Sequence, residues 1–74
     1  MLYAIDANVE TRVMSDQFQT VWSGSRQVPT FYLDSAVQGI TDENHAAQIA
    51  ATIINPLGDI PAERIHVTAL RIPG

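Results

Sequence analysis

The side chains with the widest chemical reach in this sequence are His45, His66 and the aspartates Asp6, Asp34 and Asp42. Two imidazoles beside a carboxylate could hold a divalent metal or move a proton near neutral pH. Asp42 precedes His45 by three positions, one helical turn, so those two can meet. His45 and His66 stand 21 positions apart (66 − 45) and fit neither the HExxH nor the HxxxH spacing of a two-histidine metal site. Their expected places, an early helical turn and a strand face turned away from that helix, keep the rings apart. The expectation is a surface His45 near a carboxylate and a surface His66, with no catalytic residue, metal or cofactor. Phosphate loops of the GxxxxGK[ST] or GxGxxG type are absent as well. Trp22 and Tyr32 could stack a base or a sugar, but with the aromatic face of the strand from Phe18 to Ser23 assigned to the core, Trp22 lies inside and Tyr32 outside.

Charge narrows the function classes further. The four basic residues are all arginine (Arg12, Arg26, Arg64 and Arg71), against a formal net charge of −4. Tracking a phosphate backbone or an anionic membrane takes clustered cations, so direct nucleic-acid and membrane binding are disfavoured. The cysteine count of zero removes disulfides, zinc thiolates and a thiol nucleophile. With 46% apolar and 16% charged residues the chain can bury a core. Its 74 residues suit one domain, 1–74, of the size that often gains stability by oligomerising. The start, Met1-Leu2-Tyr3-Ala4-Ile5-Asp6, has no basic region followed by a long apolar run, so a cytoplasmic protein is expected.

One helix, from Asp42 to Ile54, must organise the rest. Ala46, Ile49, Ala50, Ile53 and Leu57 repeat at core-facing helical spacing. Thr41 can cap the start, Asp42 and Glu43 suit the positive end of the dipole, and Pro56 ends the helix. Residues 2–13 alternate as a first strand, with Tyr3, Ile5, Ala7, Val9 and Val13 inward. Ser15-Asp16-Gln17 reads as a turn. Phe18 to Ser23 reads as a second strand with Phe18, Thr20 and Trp22 inward, closed by a turn at Gly24-Ser25. A third strand follows Pro29, with Phe31, Leu33, Ser35 and Val37 on one face, and Gly39 bends it into the helix. Arg64 to Ile72 alternates as a fourth strand, with Ile65, Val67 and Ala69 opposite His66, Thr68, Leu70 and Ile72. A helical turn beginning at Pro61 precedes it.

The expected fold is α+β, in the order β-β-β-α-β. An antiparallel three-stranded meander is joined by a crossover helix to a fourth, parallel strand beside the first. The sheet order is then 3-2-1-4, with 1-2-3-4 as the alternative. Ile49 and Ile53 should meet Ile5, Leu33 and Val67 in the core. A helix of about 13 residues is roughly 20 Å long and covers one sheet face. The other face then exposes Leu2, Ala4, Val21, Tyr32, Ala36, Leu70 and Ile72, and the far side of the helix shows Ala47, Ala51 and Ile54. A contiguous apolar patch marks an interaction surface. The candidate interface is therefore Val21, Tyr32, Ala47, Ala51, Ile54, Leu70 and Ile72. The function expected is a small non-enzymatic protein-interaction module that self-associates or binds another protein.

Two resemblances add to this. Val37-Gln38-Gly39-Ile40-Thr41-Asp42-Glu43, leading into Ala46 and Ala47 within that element order, resembles the partial ribonuclease-H-like domain of HicB-type antitoxins. The junction in that family also passes through a glycine, Thr or Ser, acidic residues and alanines. The family's glycine-rich first hairpin and DNA-binding extension have no counterpart here. The resemblance implies, as an alternative function, a regulator acting through a partner. Leu33-Asp34-Ser35-Ala36-Val37-Gln38-Gly39-Ile40, His45-Ala46 and Ile54-Asn55-Pro56-Leu57 are similar to small proteins of unknown function encoded by actinobacteriophages. That likeness implies binding of a phage or host protein in an infected host's cytoplasm.

Overall fold

The computed structural model describes residues 1–14, 17 and 19–73, for Met14 the backbone alone. In chain order the elements are β1 (Leu2–Met14), β2 (Thr20–Asp34), a short helix α1 (Ser35–Gln38), α2 (Glu43–Ile54), a 3-10 turn (Ala62–Arg64) and β3 (Ile65–Ile72). The strands form one sheet in the order β2-β1-β3, with both pairings antiparallel. The chain is thus α+β but not β-β-β-α-β, and the element order on which the antitoxin likeness leaned is not the observed one.

The expected second and third strands are one long strand. Gly24-Ser25 makes no turn. Ser23 and Gly24 oppose Thr11 alone, and Pro29 and Thr30 oppose Asp6 alone, so β2 carries two bulges. Gly24 takes φ +122°, and a Cβ there would stand 3.4 Å from Thr11 Oγ1. Pro29, which has no N–H for a ladder, sits in the other bulge. The turn expected at Ser15-Asp16 and the core place expected for Phe18 fall outside the described residues.

Losing one strand reverses a polarity. The helix returns the chain parallel to the strand it left, which is β2. Because β1 lies between and runs against β2, β3 must be antiparallel to β1. Neither 3-2-1-4 nor 1-2-3-4, nor a parallel last strand, survives.

Short polar caps set the helices. The Asp34 carboxylate accepts from the Ala36 N–H at 2.9 Å and turns the strand into α1, so Ser35 and Val37 leave the ladder. Gly39, at φ 67°, closes α1 in the left-handed region. The N-cap of α2 is Asp42 rather than Thr41, its carboxylate accepting from the His45 N–H at 2.8 Å. Asn55 and Pro56 end the helix. In the following loop the Asn55 side chain donates to the Ile60 carbonyl at 2.9 Å.

The core lies between α2 and one side of the sheet. Tyr3, Ile5, Leu33, Ile40, Ala46 and Ala50 form its buried cluster, with Phe31, Ile49, Val67 and Ala69 packed against it. Ala46 and Ala50, without long side chains, let α2 lie close over β3 and β1. Ile53 is 50% exposed and Leu57 86% exposed, so neither is the core residue expected. A helix turns about 100° per residue, which keeps Ile53 within the arc of Ala46 and Ala50. Its exposure comes from lying in the last turn, where apolar partners run out. The other flank, Ala47, Ala51 and Ile54, is half-buried.

Beyond Val9 the β1–β2 ribbon runs on without β3. The molecule is consequently long, 51 × 18 × 14 Å, with a radius of gyration of 14.3 Å. A compact chain of this length has about 11 Å.

Candidate functional site

The residues with chemical reach are held in separate structural tasks. His45 sits in the first turn of α2, and its Nδ1 accepts the Thr41 N–H at 3.2 Å. With Asp42 this makes a reciprocal cap, which fixes Nδ1 as an acceptor. Asp34 caps α1, and Asp6 accepts from the Thr30 hydroxyl across the β1–β2 ladder. His66 stands on β3 with Nε2 3.2 Å from Glu10 Oε2. No group of three or more metal-ligating side chains converges among the described residues.

Sequence reasoning missed a cluster around Glu10. The β1–β3 register pairs Val9 with Ile65, and the next step outward brings Glu10 beside Arg64. Arg64 Nη1 donates to Glu10 Oε1 at 3.0 Å. Hydrogen bonds from Arg64 and then His66 hold the Glu10 carboxyl below its ordinary value of 4.5, against a smaller opposing effect of desolvation. The Arg64 guanidinium also lies 5.2 Å from the centre of the Trp22 ring, and that of Arg12 lies 5.9 Å from it. Arg12 in turn donates to the Asp59 carboxylate at 2.8 Å and to the Asp59 carbonyl at 2.9 Å. Trp22 is therefore not a core residue. The two bulges of one residue each cancel in phase, so Trp22 keeps the face of Tyr32 and pairs with Arg12 on the side of the sheet away from α2. The cluster ties β1, β2, the loop after α2 and the 3-10 turn together. Each guanidinium already has a carboxylate, so the cluster offers no spare cation to an anionic ligand.

That same uncovered side carries the apolar residues. Leu2 pairs with Ile72, and Ala4 lies between Tyr32 on β2 and Leu70 on β3. Tyr32 is 60% and Leu70 63% exposed, and Ile72 is half-buried. Of the other candidate interface residues, Val21 is exposed far along the ribbon, opposite Val13, while Ala47, Ala51 and Ile54 lie on the helix flank. The structure thus groups Tyr32, Leu70 and Ile72 and leaves the other four elsewhere. A depression of about 370 Å³ beside the start of α2 is lined by Tyr3, Thr41, Asp42, Glu43, Asn44 and Arg71. A second, of about 240 Å³, lies on the uncovered side between Asp6, Asn8, Gln27, His66 and Thr68. No helix among the described residues is long and apolar enough to cross a membrane.

No family model, curated protein or solved structure matches the chain.

Proposed function

We propose that this chain is a non-enzymatic interaction module that works by self-association. The observation that carries the reading is the pair of apolar rows on the uncovered side, Leu2 with Ile72 and Tyr32–Ala4–Leu70. Side chains of that size in adjacent rows have more to gain from a protein partner than from water. The surface area supports it too. The chain exposes 5164 Å², against roughly 4,500 Å² for a compact monomer of its mass. The likeness to small actinobacteriophage proteins adds the cytoplasm of an infected host as the setting within the same proposal. Sedimentation equilibrium across a hundredfold concentration range tests the reading. The expected result is a species of twice 8.1 kDa that dissociates on dilution. A strict 8.1 kDa monomer throughout overturns it.

A further inference from the structure

The two edges of the sheet are built differently. A sheet edge presents unpaired N–H and C=O groups, and proteins blunt it with proline, lysine, bulges or short strands. The β2 edge has two such devices, Pro29 and a pair of bulges. The β3 edge has none. It pairs with β1 in unbroken register from Val9↔Ile65 to Leu2↔Ile72, with no proline or lysine in Ile65–Ile72. In an antiparallel ladder alternate residues turn their backbone groups away from the neighbour. On β3 those outward groups meet no backbone or side-chain partner among the described residues.

We infer that the outer edge of β3 is the self-association surface, pairing antiparallel with β3 of a second copy to make a continuous six-stranded sheet. The inference rests on the self-association reading and gives it a place. Three observations select a second copy as the occupant. An antiparallel strand complements itself about a two-fold axis, so one sequence supplies both sides of the contact. Arg71 is the only formally charged residue of β3, so self-pairing stacks no ladder of like charges. The apolar row Tyr32–Ala4–Leu70 ends at this edge in the exposed Leu70, and a two-fold axis normal to the sheet at Thr68 sets His66 of the copy opposite Leu70 on the same face, where strand pairing covers part of it.

Thr68→Lys tests the inference, because Thr68 is exposed at mid-strand and a lysine there faces its own copy across the axis. Gln27→Lys is the comparison, adding the same charge to the exposed face of the β2 edge. Sedimentation equilibrium should show at least a tenfold weaker dimer for Thr68→Lys and an unchanged dimer for Gln27→Lys, with both circular dichroism spectra like the parent. In the unsubstituted protein, hydrogen exchange at the outward amides of β3 should slow as concentration rises. A parent dimer that Thr68→Lys leaves intact, or β3 amides whose exchange ignores concentration while the mass doubles, overturns the edge assignment and leaves self-association standing. A parent that stays monomeric overturns both. Should Thr68→Lys fail to fold, the exchange measurement on the parent decides alone.

Discussion

The half of the sheet under α2 and the ribbon that extends beyond it are held by different forces. Under the helix, the inward residues of β1, Tyr3, Ile5, Ala7 and Val9, are all buried. Past Val9 the same face carries Val13 opposite Val21, 54% and 44% exposed, with neither a third strand nor a helix above them among the described residues. What holds the ribbon lies on its other face, where Arg12 and Arg64 flank Trp22 and pair with Asp59 and Glu10. An isolated two-stranded ribbon is marginal in water. This one is braced by surface ion pairs and ring contacts that water and salt screen, where the covered half draws on apolar burial of about 1.5–3 kcal/mol per large side chain.

The contrast can be broken by mutation. Ile5 is fully buried at the middle of the covered half. Ile5→Ala should cost about 2–5 kcal/mol in urea unfolding, out of roughly 4–11 kcal/mol for a domain of this length. Trp22→Ala should cost less, about 1–2 kcal/mol, since it removes a half-buried ring and two cation–π contacts. Hydrogen exchange should accelerate around residues 10–13 and 21–25 and stay unchanged at Tyr3, Ile5 and Leu33. Uniform acceleration across both halves would mean that ribbon and core are one cooperative unit, and the contrast would fail.

The finest distinction is in acid. Glu10 titrates below its ordinary value, first because of Arg64 and then because of His66. A depressed folded-state value contributes stability that is present above about pH 4.5 and is lost as pH falls through the folded value. Glu10→Gln should therefore melt lower than the parent at neutral pH, and the gap should close as pH drops below that range. A gap that persists undiminished in acid would show that Glu10 acts through something other than its charge.

Periodicity in the sequence located α2, the inward face of β1 and the two faces of β3, because each is a regular element with one covered side. It fails at β2, where Gly24-Ser25 and Pro29 read as a break between two strands but mark bulges within one. Reading a break there turns one strand into two and reverses the polarity of β3. The two bulges cancel in phase, so Trp22 shares the face of Tyr32, and it is the size of the ring, not alternation, that points wrongly to the core. Periodicity also gives the rotation of α2 but not what lies over its last turn, which is why Ile53 is exposed. The Glu10 cluster joins residues more than 50 positions apart. Only the β1–β3 register reveals it, although that register then pairs opposite charges, as cross-strand neighbours favour.

The extended ribbon has a hydrodynamic consequence. A body 51 Å long and 18 Å wide tumbles unevenly and drags more solvent than a sphere of equal mass. A single chain will therefore leave a sizing column ahead of a compact standard of 8.1 kDa and mimic an assembly that is not there. Its length also holds the described far end of the ribbon, at Val13 and Val21, well away from the start of α2.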